Sequence, residues 1–183
     1  IKKISRNENN IRIAVGSNDD YLDYDQVVLA CHANESLALL EEPTTEEKSI
    51  LSKFQYVTNT AFLHTDEQLM PVNKSAWSSW NSISKKDLTN TCVTYWLNLL
   101  QNLNTNKNFF LTLNPILNIE SEKIIKRVVF THPHFNLENT KLQKRLKLLQ
   151  GVRRTWFCGS YFGYGFHEDG LKSSLDMIDQ FKI

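Results

Sequence analysis

Two short runs near opposite ends of the chain, Val27-Val28-Leu29-Ala30 and Thr155-Trp156-Phe157-Cys158, constrain the fold most. The first is apolar on both faces, so it predicts a strand covered on two sides, as in a parallel sheet. The second reads as another short buried strand. Between them the pattern changes. Segments 56–64, 92–98, 109–113 and 124–130 are rich in Val, Thr, Phe, Tyr and Trp and are separated by turn formers, which predicts a mostly antiparallel sheet. The expected fold class is therefore α/β plus α+β. Residues 1–41 and 151–183 should form one domain, interrupted by an inserted domain over 42–150. That α/β part has too few strands to cover both faces of a sheet, so it needs more chain or a partner.

Local signals fill in the elements. Ile11-Arg12-Ile13-Ala14-Val15 alternates, and the turn formers at 7–10 make residues 1–5 its expected hairpin partner. A second turn is expected over 16–20 and a short helix over 34–40, ended by Pro43. Thr44 and Glu47 form a capping box ahead of a helix striped with Ile50, Leu51 and Phe54. Leu142, Leu146 and Leu149 recur at helical spacing, with Gly151 as a stop. A final helix should start near Glu168 and carry Leu171, Leu175 and Ile178 on one face. The basic run 141–147 reads as a solvated helix face or a membrane-surface contact.

Composition narrows the function classes. With 183 residues, 41% of them hydrophobic, the chain can bury a sizeable core. A net charge of +1 gives no basic stripe for nucleic acid. No apolar run approaches the roughly 20 residues of a membrane span, and no signal peptide is visible. The three cysteines, Cys31, Cys92 and Cys158, are far apart and lack CxxC spacing, so a reduced, cytoplasmic setting without zinc is expected. Ile1 in place of Met suggests a processed chain or a piece of a longer product.

The segment from Trp156 to Leu171 carries the chemistry. A buried strand runs into a glycine-rich loop and then into a helix. Ligands of open α/β sheets sit beyond the carboxyl ends of the strands, and glycine lets backbone approach them closely. A helix N-terminus offers unpaired N–H groups and partial positive charge. It would suit a phosphate or the N1/C2=O edge of a flavin. The alternative is a plain glycine-rich turn before an amphipathic helix. The segment is not GxGxxG, and that motif occurs nowhere in the chain.

The run Gly159-Ser160-Tyr161-Phe162-Gly163-Tyr164-Gly165-Phe166-His167-Glu168-Asp169-Gly170 resembles the C-terminal flavin motif of NAD/FAD-binding proteins in the flavin amine oxidase superfamily. In particular it resembles a bacterial branch that accompanies cyclopropane fatty acid synthases. The resemblance extends to Ala30-Cys31-His32, Leu63-His64-Thr65-Asp66, Ala76-Trp77-Ser78-Ser79-Trp80-Asn81, Thr94-Tyr95-Trp96-Leu97-Asn98 and His132-Pro133, and so covers nearly the whole chain. It implies the C-terminal part of a two-domain, Rossmann-like FAD enzyme whose glycine-rich βαβ unit would precede Ile1. It implies FAD as cofactor, bound by Ala30, Cys31 and His32 and by the loop. Gly159 and Ser160 would lie near the ribityl–pyrophosphate, with Tyr161, Gly163 and Tyr164 following. Gly165, Phe166, His167, Glu168, Asp169, Gly170 and Leu171 would meet the isoalloxazine. The implied reaction is hydride transfer between flavin and an apolar substrate, such as a lipid acyl chain. Many amine oxidases have an acid where Ser160 stands and a lysine near flavin N5 that the matched motifs do not supply, which puts amine oxidation in doubt. The rival expectation is a non-catalytic fragment or split subunit that cannot bind FAD without its N-terminal half, or that associates through an open sheet edge.

Trp77, Trp80, Asn81, Tyr95, Trp96 and Asn98 form a dense aromatic and amide set that reads either as a substrate cavity or as packed core. Alternation separates Tyr95 from Trp96 and Asn98, and at most one of those faces can look at a ligand. His64, His132 and His134 lack a carboxylate set, so no metal is assigned. His167 reads as a proton or hydrogen-bond donor or as a simple cap, and Glu168 and Asp169 as complements to the helix dipole.

Overall fold

The computed structural model describes residues 1–16, 20–84 and 91–181, so most of the turn expected at 16–20 lies outside the described residues. In chain order the elements are β1 (Lys3–Arg6), β2 (Ile11–Val15), β3 (Asp20–Tyr24), β4 (Val27–Leu29), α1 (Ala33–Leu39), α2 (Thr45–Leu51) and β5 (Gln55–His64). There follow β6 (Trp80–Ser84), β7 (Thr91–Trp96), α3 (Leu97–Leu100), β8 (Phe110–Leu113), β9 (Ile124–His134), α4 (Leu137–Leu142), β10 (Thr155–Phe157) and α5 (His167–Ile178). Among the described residues no helix is long and apolar enough to cross a membrane.

The chain divides into two compact units, 1–56 with 133–183, and 57–132. Residues 42–56 and 133–150 therefore pack with the terminal segments, although their sequence position suggests the inserted domain. The reason is burial: Ile50, Leu51, Phe54, Leu146 and Leu149 share one apolar cluster with Ile4, Leu29 and Phe157. In this first unit β1, β2 and β3 form an antiparallel meander. β4 pairs in parallel with β10, Val27 opposite Thr155 and Leu29 opposite Phe157. Thr44 caps α2 as expected, its side chain accepting from the Glu47 N–H while the Glu47 carboxylate accepts from the Thr44 N–H. Glu47 also reaches Arg6, with guanidinium nitrogens 2.6 and 2.8 Å from its two oxygens, both side chains fully buried. Arg153 and Arg154 take left-handed backbone conformations (φ 49° and 60°). Such strain persists when surroundings over-determine it. Here the two guanidinium groups donate to the carbonyls of Arg6, Glu42 and Glu8.

The second unit is a five-stranded sheet in the order β6-β7-β8-β5-β9. Residues directly opposite one another share a face. One face carries Asn81, Thr94, Thr112 and Phe62 in a row, together with Cys92, Phe110 and His64, and it is largely buried. The other carries the row Trp80, Tyr95, Leu111 and Leu63, none of which is fully buried. The strand expected over 92–98 ends at Trp96. Leu97–Leu100 is a helical turn, held by the Leu97 N–H donating to the Phe109 carbonyl and the Phe109 N–H donating to the Asn98 side chain. Pro133 is accommodated because β9 is an edge strand, where a missing N–H costs no ladder bond.

Candidate functional site

The parallel pair β4–β10 positions the candidate residues of the first unit. The Cys158 N–H donates to the Leu29 carbonyl and extends the pairing one step past the strand. Both chains then turn away at their carboxyl ends, Ala30, Cys31 and His32 on one side and Gly159 onward on the other. His32 opens α1 and stacks on Tyr56, ring centroids 4.3 Å apart. The Tyr56 hydroxyl accepts from the Ala33 N–H at 2.8 Å, and burial pushes its pKa up to about 12. The Cys31 thiol lies 3.3 Å from the Ser36 hydroxyl.

The loop from Gly159 to Phe166 is organised from within. The Gly159 N–H donates to the Ser173 hydroxyl of α5, and Ser160 offers its carbonyl to the N–H groups of Gly163 and Gly165. Asp169 turns back from the first turn of α5, one carboxylate oxygen accepting from both Tyr164 and Phe166 N–H at 2.9 Å. A Cβ on Gly163 would collide with that carboxylate, so glycine is required there by close approach. Gly165 has φ +92°, and a Cβ would come within 3.0 Å of the Phe135 ring. Gly170 differs: the nearest atom to a Cβ would be the Ser160 nitrogen at 3.8 Å. Internal packing thus explains Gly163 and Gly165, whereas a Cβ on half-buried Gly170, at the edge of the exposed start of α5, would make only one ordinary contact.

That surface is apolar around a helix N-terminus. Tyr164 is 72% exposed, Phe166 69% and Leu171 55%, with exposed His167 and Glu168 between them. Tyr161 is placed elsewhere. It is buried in the core against Phe54, 5.3 Å between centroids, and burial drives its hydroxyl well above the ordinary phenol pKa. This start of α5 combines exposed apolar side chains, a glycine and the positive end of a twelve-residue helix. Of the candidate cofactor residues, Gly163 and Asp169 are engaged within the loop itself, and the Tyr161 ring is packed in the core.

In the second unit the aromatic and amide set separates by face. Asn81 is buried, its amide bonded to the Ser78 carbonyl and N–H. The Trp77 indole donates to the Pro71 carbonyl, the Trp96 indole to Asn108, and the Asn98 amide to the Lys107 carbonyl. Trp80 and Tyr95 are directly paired on the more open face. On the other face of the sheet runs a buried hydrogen-bonded chain whose linkage no local pattern marks. The His64 ring nitrogens contact the Thr112 hydroxyl at 2.8 Å and the Asp66 N–H at 3.1 Å, and Thr112 in turn contacts Thr94 at 2.8 Å. Burial lowers the His64 pKa against the pull of Asp66.

No family model and no curated protein sequence matches the chain. Solved structures do. A CLA-producing fatty acid isomerase from P. acnes superposes with TM-score 0.67 at 14% identity, covering 100% of this chain and 47% of its own. A proposed protoporphyrinogen oxidase from Exiguobacterium sp. 255-15 gives 0.57 at 12%, covering 97% and 45%. A putrescine oxidase variant with redesigned cofactor binding gives 0.57 at 9%, covering 98% and 48%. At such identities the likeness is one of fold. The chain has the C-terminal part of the FAD-dependent amine oxidase fold and spans about half the length of these structures.

Proposed function

We propose that this chain forms the flavin-facing and substrate-binding portion of an FAD-dependent oxidoreductase that transfers hydride between flavin and an apolar substrate. The observation that carries it is the open, apolar start of α5 beyond the parallel pair β4–β10. Bound there, a flavin would supply a two-electron acceptor. The chain's own part is to hold the ring on Tyr164, Phe166 and Leu171 and to offset the charge of its reduced state with the helix N-terminus. Ala30, Cys31, His32, Gly159 and Ser160 would lie along the rest of the cofactor. A segment carrying a dinucleotide-binding glycine motif would hold the ADP end, either in the same longer chain or as a partner. The first unit would then be the FAD-binding part and the second the substrate domain.

The second unit favours an apolar substrate, because its open face presents Trp80, Tyr95, Leu111 and Leu63 in one row across four strands. A lipid acyl chain suits such a row, and one structural neighbour acts on a fatty acid. The branch associated with cyclopropane fatty acid synthases would place the protein in the cytoplasm.

FAD titration followed by flavin fluorescence tests the reading. Gly170→Val should weaken FAD binding about tenfold or more while the unfolding midpoint holds, because a Cβ there meets no atom closer than the Ser160 nitrogen at 3.8 Å. Gly165→Val would perturb the loop itself and is the poorer probe. The reading fails if a folded Gly170→Val variant binds FAD unchanged. It also fails if neither this chain nor a longer product containing it takes up flavin.

A further inference from the structure

The last helix of the first unit buries its smaller side. At 3.6 residues per turn, Gly170, Ser173 and Met177 fall on one side of α5 and Leu171, Leu175 and Ile178 on the other. A surface helix ordinarily turns its larger apolar side chains to the core. Here Ser173 and Met177 are buried, and the Ser173 hydroxyl accepts from the Gly159 N–H and donates to the Gly170 carbonyl. Leu171, Leu175 and Ile178 are instead 55%, 54% and 58% exposed. A helix that is packed on one side and apolar on the other belongs between two layers.

The strand pair beside it is bare in the same way. Val28 lies opposite Trp156, so the two share a face of the pair. The Trp156 ring is covered by Phe181, just past the end of α5, with ring centroids 5.0 Å apart. Val28, one strand over, is 42% exposed. Parallel strands are normally covered on both faces, so Val28 and the outer side of α5 lack the same kind of cover. The border of the stripe defines the chemistry of that cover. Glu168 and Asp179 lie along one edge of it, with Lys172 between them, and Lys172 is engaged by Asp176 at 3.0 Å. Among the described residues no cation pairs with Glu168 or Asp179, which leaves that edge net negative.

We propose that the stripe of Leu171, Leu175 and Ile178, with Val28, docks an amphipathic helix with basic flanks that belongs to the half of this fold the chain does not span. The fatty acid isomerase and putrescine oxidase structures are spanned to 47% and 48%, so each holds a comparable amount of further chain. Apolar residues of the incoming helix pack on Leu175, Ile178 and Val28, and Lys or Arg beside them meet Glu168 and Asp179. The proposal rests on the packing of α5 and on the shared fold, and not on flavin binding.

Anisotropy titration of the chain, without FAD, against a fluorescein-labelled Leu/Lys peptide of about 18 residues, long enough to hold a helix, tests this. One saturable site is expected. Leu175→Glu and Ile178→Glu, both at exposed positions, should each weaken it about tenfold or more with unchanged far-UV circular dichroism. A Leu/Glu peptide of the same pattern should bind about tenfold more weakly at low salt, and the gap should narrow as salt is added. Amide shift changes should centre on Val28 and α5. The proposal is overturned by an absence of saturable binding, by equal affinity in both folded variants, by an acidic peptide that binds as tightly at low salt, or by shifts confined to other segments. It is also overturned if the parent chain dimerises, Leu175→Glu makes it monomeric and the peptide does not compete, because a second copy is then the occupant. FAD uptake by a chain that binds no helix would sink this surface alone, and helix binding by a chain that takes up no flavin would leave it standing.

Discussion

The two units bury polar groups in different ways. In the first, an apolar cluster closes around one ion pair, Arg6 with Glu47, whose four hydrogen-bonding atoms face each other at short range. In the second, a chain of neutral groups crosses the buried face of the sheet, from the Asp66 N–H through the His64 ring and Thr112 to Thr94. A single buried pair makes stability hinge on two residues. A distributed relay spreads it and ties it to the protonation of one histidine. The contrast predicts that the units fail under different challenges.

The largest effect should come from breaking the pair. Glu47→Ala leaves the Arg6 guanidinium buried, with Thr155 and the Glu42 carbonyl as its remaining acceptors among the described residues, so unfolding should cost about 3–5 kcal/mol less. Part of that loss is the α2 cap. Hydrogen exchange can localise it: amides of β2 and β10 should lose protection while those of β7 and β8 keep theirs. Equal loss in both units would dissolve the contrast. The pair also sets an acid limit. Burial raises the Glu47 pKa, but the hydrogen bonds from Arg6 and Thr44 bring it below its ordinary value. A depressed carboxyl contributes stability above its unfolded pKa, near 4.3, and that contribution is lost as pH falls through the folded value.

Much of this architecture is legible in local sequence, and the limit is one of range. Thr44 and Glu47 announce a helix start because a capping box lies within four residues. That Glu47 also holds Arg6 cannot be read, since the partner is far away in sequence and nothing in its neighbourhood marks it as buried. β3 escapes notice because all five of its residues are exposed and show no alternation. The stop of β7 at Trp96 escapes for a different reason: the Asn98 side chain accepts from the Phe109 N–H across the β7–β8 connection, a contact no local window contains. At the site, the glycines of the 159–170 loop are conspicuous, yet their reasons differ. Gly163 answers to Asp169 and Gly165 to Phe135, so only the three-dimensional packing separates them from Gly170.

The second unit should yield to mild acid. The His64 ring is held neutral, accepting from the Asp66 N–H at Nδ1 and facing Thr112 at Nε2. Its folded pKa lies below the unfolded value near 6.5, so the unfolded chain takes up the proton first. Stability from this residue is complete above that value and is lost as pH falls from there through the folded pKa. Trp77, Trp80 and Trp96 lie in this unit and Trp156 in the other, so tryptophan emission reports mainly on the second. Urea midpoints followed by emission should fall between neutral pH and about 5.5. His64→Gln should cost about 1–2 kcal/mol at neutral pH and flatten that dependence. An unchanged slope in the variant would assign the acid sensitivity elsewhere.

The smallest effect separates core from site at a residue that could belong to either. Tyr161 stands within the loop that resembles a flavin motif, yet its ring packs on Phe54 and Phe162. Its hydroxyl is buried without a hydrogen-bond partner among the described residues, although Ser36 and the thiols of Cys31 and Cys158 lie around it. An unpaired buried hydroxyl is a cost that Phe does not carry. Tyr161→Phe should therefore leave stability within about 1 kcal/mol of the parent, or raise it, and leave FAD affinity unchanged. A clear loss of stability with FAD affinity intact would show that Ser36 satisfies the hydroxyl in solution. A loss of FAD affinity at constant stability would move Tyr161 from the core to the cofactor, and with it the boundary between packing and function in this loop.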